Sequence, residues 1–281
     1  MKKVLKWLMI IMLFIIATIM YARFIGTMSL TTKEYTITDE LLPSGFDGLK
    51  IVHFSDLHYN RAITLDKVKS IVKEINEINP DIVVFTGDLI DKDAILKDID
   101  YEYLSNTLKE INSKYGKYYI LGNHDYDSDT DNIINTMNTS GFIHLDNKYD
   151  IIYNNKSEYI YISGIDSVSK NKENIETALD FLKDKTTPTY NIFLTHEPDI
   201  SDKIVKNYSI NLILAGHSHG GQVRLPFIGA IYTPEYAKKY HDDYYKIDNT
   251  DLYISSGIGV PSFNYRLRNR PSINFYRINK N

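Results

Sequence analysis

Asp56-Leu57-His58, Gly87-Asp88, Gly122-Asn123-His124-Asp125, Thr195-His196-Glu197 and Gly216-His217-Ser218-His219 hold five of the chain's eight histidines, with carboxylates and one carboxamide among them. Two imidazoles two residues apart on an extended segment project to the same side, which is a chelating geometry and a poor packing one. Asn-His-Asp has no common turn function, whereas Asp-x-His or Gly-Asp taken alone would pass for an ordinary turn. The order and company of the five stretches, more than any one of them, point to metal chemistry. No cysteine is present, so a thiolate zinc site is excluded. Imidazole and oxygen ligands suit Mn²⁺, Fe or Zn²⁺. Two such cations about 3.5–4 Å apart need an anionic bridge, and Asp88, in the middle of the set, is the candidate for it. Paired cations in one cleft would hold a phosphate by its oxygens. They would also lower the pKa of a bridging water, so that hydroxide can attack phosphorus in line near neutral pH.

Such side chains must be brought together by elements that end where the stretches begin. The hydrophobic runs Leu49–Phe54, Ile82–Phe85, Tyr118–Leu121, Ile192–Leu194 and Leu212–Ala215 do end there, and each reads as a buried strand. Polar residues that follow buried strands collect at their carboxyl ends, where open α/β sheets bind ligands. Helical spacing appears between the runs. Leu65, Val68, Ile71, Val72 and Ile75 lie on one face, ended by Asn79-Pro80; Leu104, Leu108 and Ile111 mark a second helix, and Ile175, Ala178, Leu179 and Leu182 a third. Further strands are expected at Leu252–Ser255 and Ile273–Ile278. Early strand–helix alternation with more strands late predicts an α/β fold of two packed sheets flanked by helices.

In the order D-x-H, G-D-x-x-D, G-N-H-[DE], a lone His and G-H-x-H, the set resembles the calcineurin-like metallophosphoesterase superfamily, from about Leu49 to about Arg270. The resemblance implies a four-layer sandwich of two mixed β-sheets flanked by helices. It implies a first metal held by Asp56, His58, Asp88 and His219, and a second by Asp88, Asn123, His196 and His217, with Asp88 shared. His124 takes the place of the family's non-ligand catalytic histidine, and Asp91 that of an aspartate that orients it in some members. Asn123 would add a neutral ligand without cancelling more metal charge. Gly220-Gly221-Gln222-Val223-Arg224-Leu225-Pro226 and Ser255-Ser256-Gly257-Ile258-Gly259, followed by Arg266, Arg268 and Arg270-Pro271, are similar to a membrane-associated bacterial branch. Its members cleave phosphodiester or pyrophosphate bonds, including that of a UDP-diacylglucosamine lipid precursor. There the glycines would let backbone approach the metals and an arginine would clamp phosphate; ordinary turn glycines and surface arginines are the alternative. The expected activity is a two-metal-dependent phosphohydrolase, a phosphodiesterase or pyrophosphatase, with a phosphomonoesterase or a non-catalytic metal-binding scaffold as alternatives. Every expected ligand position is filled, which a scaffold would not require.

The amino-terminal end carries a different signal. Trp7–Ala22 is sixteen residues without a charge, apolar on every face through residue 16. With Lys snorkelling it reaches the roughly 20 residues of a spanning helix. Met20-Tyr21-Ala22 puts bulky residues where signal cleavage wants small ones, so an uncleaved signal anchor over residues 1–26 is expected, with a cleaved signal as the alternative. Residues 27–44 read as a juxtamembrane linker and 45–281 as the catalytic domain. Lys2, Lys3 and Lys6 before the span outnumber Arg23 after it, which predicts a single-pass protein of the cell membrane with a cytoplasmic amino terminus and an extracytoplasmic domain. Beyond residue 26 the chain has 36 acidic against 28 basic residues. That balance disfavours nucleic acid and leaves a phosphorylated small molecule or a lipid-linked substrate as the expected partner.

Overall fold

A computed structural model describes residues 1–61, 63–154, 158–183, 188–261 and 263–281. In chain order it contains α1 (Lys2–Met20), β1 (Thr31–Asp39), β2 (Leu49–Phe54), α2 (Leu65–Ile78), β3 (Ile82–Thr86), α3 (Tyr101–Lys109), β4 (Gly116–Ile120), α4 (Asn123–Asp127), α5 (Thr130–Thr139), β5 (Phe142–His144), β6 (Lys148–Tyr153) and β7 (Tyr159–Gly164). Then follow α6 (Ile175–Ala178), β8 (Asn191–Thr195), α7 (Ser201–Asn207), β9 (Leu212–Ala215), β10 (Arg224–Leu225), β11 (Gly229–Ala230), β12 (Tyr244–Ile247), β13 (Thr250–Ile254) and β14 (Ser272–Lys280). One six-stranded sheet runs β1-β14-β2-β3-β4-β5, the other β12-β13-β9-β8-β7-β6, and β10-β11 is a separate hairpin. Both large sheets are mixed. The first has its antiparallel step at β14–β2, the second at its two ends, β12–β13 and β7–β6.

The period-two alternation of the hydrophobic runs becomes the layering. In β3, Ile82 and Val84 pack between the sheets while Val83 and Phe85 face the helices. In β9, Leu212 and Leu214 face the other sheet while Ile213 and Ala215 join the core under the outer helices. Each central strand is covered on both faces, which is why it reads as a continuous apolar run and not as alternation. The helical face Val68, Ile71, Val72 and Ile75 is buried against the first sheet. The expected four-layer arrangement is therefore what forms, with α2, α3 and α5 outside one sheet and α6 and α7 outside the other.

Two expectations are corrected. Thr31–Asp39 is no linker: it pairs in parallel with β14 along its whole length, from Thr31 opposite Ser272 to Asp39 opposite Lys280. Its alternating polar sequence is that of an edge strand with one solvated face. The helix expected through Leu182 stops as a single turn at Ala178 and continues as a 3₁₀ turn, Asp180–Leu182.

The amino-terminal helix is exposed along its length and runs on through a π-helical turn, Tyr21–Ile25. Its 24 residues are long and apolar enough to cross a membrane, spanning about 36 Å at 1.5 Å per residue. The helix base is seated on the domain. The Arg266 amide donates to the Ala22 carbonyl at 2.9 Å. Gly26 packs so closely that a Cβ there would lie 2.0 Å from the Arg266 carbonyl oxygen.

Candidate metal centre

Sharp reversals of the chain after β2, β3 and β9 aim the polar side chains inward. Asp56, His58, Asp88, His217 and His219 all take positive φ, between 45° and 63°. Non-glycine residues hold that left-handed conformation only where the surroundings over-determine it, and such strain gathers at functional sites. All five are also buried. Five strained, buried polar residues at the carboxyl ends of β2, β3 and β9 have no packing explanation.

The side chains converge in two adjoining groups, with Asp88 facing both and Asp56 within reach of both. In the first, His219 Nε2 lies 3.3 Å from Asp56 Oδ1 and 3.2 Å from His58 Nε2, and His58 Nε2 lies 3.7 Å from Asp88 Oδ2. In the second, His196 Nε2 lies 3.3 Å from the same Asp88 oxygen and 3.2 Å from Asn123 Oδ1. The His217 ring stands against that of His196, their centroids 4.9 Å apart. Tetrahedral ligation with bonds of about 2.1 Å separates ligand atoms by roughly 3.4 Å, so the observed spacings fit a cation at the centre of each group.

Hydrogen bonds fix which ring nitrogen is free. His196 Nδ1 donates to the Thr86 carbonyl at 2.6 Å and turns Nε2 toward Asp88 and Asn123. His217 Nε2 donates to the Glu235 carbonyl at 2.8 Å and leaves Nδ1. Burial pushes His219 down to about 4, with Asp56 pulling the other way, so it is neutral and available to a metal. Burial also lowers His217. Asp88 is held well below the usual carboxylate range, burial opposing ionisation and His196 outweighing it, while Asp88 in turn raises His196 against its own burial; a cation at His196 Nε2 would displace that proton.

His124 and Asp91 lie beside the first group. The Lys92 amide donates to His124 Nδ1 at 3.3 Å, so the proton of the neutral ring sits on Nε2. Burial lowers its pKa, with Asp88 acting against it. The Asp91 carboxylate is nearer His58 Nδ1, at 3.2 Å, than His124 Nδ1, at 4.0 Å. Neither His58 Nδ1 nor Asp91 Oδ2 completes a hydrogen bond. The other Asp91 oxygen accepts from Arg61 at 3.0 Å and from the Asp93 amide at 2.9 Å. As placed, Asp91 faces both imidazoles and is closer to the ligand histidine.

Three buried residues support the site; Asp125 and Arg266 lie in stretches the sequence singles out, but the backbone groups they hold show only in the fold, and Asp166 carries no signal in the sequence. Asp125 is fully buried and accepts from the amides of Asp88, Leu89 and Gly122 at 2.8, 2.8 and 2.9 Å, tying the loop after β3 to the loop after β4. Burial and the Asp88 charge push it up to about 7. Asp166 holds the same loop from the other sheet through the Leu121 amide and the Tyr126 hydroxyl. Arg266 is neither a surface arginine nor a free phosphate clamp. It is fully buried, with its guanidinium donating to the carbonyls of Ser256, Gly257 and Gly259 at 2.8, 3.0 and 2.7 Å, and Nη2 lies 3.4 Å from His219 Nδ1. Gly257 is required there: its φ is +66°, and a Cβ would lie 2.8 Å from His219 Nδ1.

A family model described as calcineurin-like phosphoesterase matches residues 49–221. Among relatives, the metallophosphoesterase YkuE of Bacillus subtilis is 35% identical over 259 residues, covering 92% of this chain and 88% of that protein. A zebrafish (Danio rerio) relative named as a transmembrane protein with a metallophosphoesterase domain is 27% identical over 252 residues, covering 85% of this chain and 55% of its own. The solved structure of Haemophilus influenzae NAD nucleotidase matches with a TM-score of 0.50 at 18% identity, over 75% of this chain and 45% of that one, a likeness of fold alone.

Proposed function

The chain belongs to the calcineurin-like phosphoesterase family and is a metal-dependent phosphoesterase; from that starting point we propose that it is a membrane-anchored phosphodiesterase or pyrophosphatase acting on a lipid-linked or membrane-surface substrate. Asp56, His58, Asp88 and His219 would hold one divalent cation, and Asp88, Asn123, His196 and His217 the other, as Mn²⁺, Fe or Zn²⁺. The observation that carries the site assignment is that Asp88 Oδ2 lies 3.7 Å from His58 Nε2 and 3.3 Å from His196 Nε2, so that one carboxylate oxygen faces both groups. Bound there, two cations supply charge for the phosphate oxygens and a water activated near neutral pH. The chain's own residues do the rest. His124 presents Nε2–H to the leaving oxygen as a hydrogen-bond donor and, when it carries a second proton as the imidazolium, would pass one to it. The Lys92 amide holds the His124 ring in place, and the Asp91 carboxylate faces the His58 ring at 3.2 Å.

The placement of the helix supports the membrane reading. β14 runs antiparallel to β2, with Asn274 opposite His53. Its start therefore lies at the end of the sheet where Asp56 and His58 follow β2. Arg266 precedes that start and meets Ala22. The helix leaves the domain at the metal end, which brings the site close to the bilayer surface. The full-length protein in Mn²⁺ should hydrolyse an aryl diester and a nucleoside diphosphate-linked lipid faster than an aryl monoester, and should leave DNA uncut. A preference for the monoester would replace the diester reading with a phosphomonoesterase.

A further inference from the structure

The hairpin that follows the double-histidine stretch has a tip that the fold itself does not need. Between Arg224-Leu225 and Gly229-Ala230 the chain turns through Pro226, Phe227 and Ile228. Phe227 is fully exposed and Ile228 is 73% exposed. Phe227 also takes φ +66°, which Gly or Asn would adopt at less cost. A large apolar side chain in a strained conformation, touching nothing of its own fold, suits an environment outside the fold.

Backbone contacts show what lies next to it. Leu267 bonds both Gln222 and Arg224, at 3.1 and 3.0 Å, while the preceding residue, Arg266, bonds Ala22 at the helix base. The Gln222 side chain donates to the Phe263 carbonyl at 2.8 Å. The helix base, the segment around Arg266 and the hairpin are thus laid side by side. At about 4.8 Å per neighbour, the hairpin starts roughly 10 Å from the helix base. The apolar exposure is continuous with the helix: Phe24, Ile25 and Met28 at its base and Phe263 beside the hairpin are all more than half exposed. Arg268 and Arg270 line the cavity of about 420 Å³ under the helix base with Tyr21 and Gly26. Neither arginine has an ion-pair partner among the described residues. An apolar surface fringed by Arg268 and Arg270 is complementary to acyl chains beneath anionic headgroups.

We infer that the Phe227-Ile228 hairpin tip, with Phe263 and the base of α1, forms a second membrane contact that inserts into the interface of an anionic bilayer. The inference rests on reading α1 as a membrane anchor. The test uses the full chain with its one tryptophan removed, Trp7→Phe, reconstituted in phosphatidylcholine–phosphatidylglycerol vesicles. A reporter is introduced as Phe227→Trp, with Ile228→Trp as a second. The control is Leu41→Trp, an exposed position just past the Asp39 end of β1, at the far end of the sheet. The tip reporters should emit to the blue of the control and lose most of their intensity to lipids brominated near the headgroup end of the chains, while the control keeps its own. A chain that floats with the vesicles but shows equal quenching at tip and control, or none at the tip, overturns the hairpin contact and leaves the anchor standing. A chain that does not float overturns both.

Discussion

At the scale of single residues, the chemistry depends on which ring or oxygen is free to act, and two substitutions separate the roles. Asp88→Asn keeps the shape of the proposed bridge but removes a negative charge that faces both groups, so two cations would sit opposite each other with less compensation. Elemental analysis should show fewer than two metals per chain, and turnover should vanish; wild-type turnover with two metals bound would remove Asp88 from the bridge. His124→Ala should leave the metal content unchanged and slow turnover by about 10²–10⁴-fold on substrates with poor leaving groups. The loss should shrink as the leaving group improves, because a stable leaving anion needs no proton. A uniform loss across a leaving-group series, or loss of metal, would make His124 a ligand or a structural residue.

At the scale of elements, strands carry the fold and also its acid sensitivity. His53, next to the carboxyl end of β2, is fully buried between the Thr86 hydroxyl at 2.8 Å and the Tyr276 hydroxyl at 3.3 Å. Burial pushes its pKa down to about 3. The unfolded chain takes up a proton near the ordinary histidine value and the folded chain does not, so this contribution to stability is complete above that value and is lost as pH falls below it. At pH 5 the loss is about 2 kcal/mol. His53→Leu should therefore reduce the dependence of unfolding free energy on pH by about one proton between about pH 4 and 6, measured by denaturant titration of metal-free protein. An unchanged slope would mean that His53 is protonated in place. The central strands were legible in the sequence because each is a buried run ended by a polar motif. β1 was not, because its partner β14 lies some 240 residues further on, and an edge strand with a polar face looks locally like a linker. Arg266 and Asp125 were singled out but their roles were not legible, for a related reason: what they hold are backbone groups brought close only by the finished sheets. Asp91 was legible as part of the site, but its approach to His58 depends on the turn after β3, which its spacing from Asp88 does not encode.

At the scale of the whole molecule, apolar exposure is concentrated on the amino-terminal helix and its base. The apolar helix and the arginines around its base mark one end, and the acidic excess belongs to the rest of the chain. The lysines ahead of the span predict that the domain lies outside the cytoplasm. Protease added to intact cells after wall removal should then digest the domain, while the untreated chain sediments with membranes. Protection of the domain would reverse the orientation, and a shortened, soluble chain would show that the helix is cleaved.

The seating of the helix base on Arg266 has a consequence for kinetics. A catalyst on a loose tether samples a volume; one whose anchor is packed against the same arginine that braces a site histidine keeps a fixed attitude as it diffuses. For a substrate carried in the bilayer, encounter then becomes a two-dimensional search. The governing variable is the substrate's mole fraction in the surface, so that adding inert lipid would slow the reaction even though every bulk concentration stayed the same.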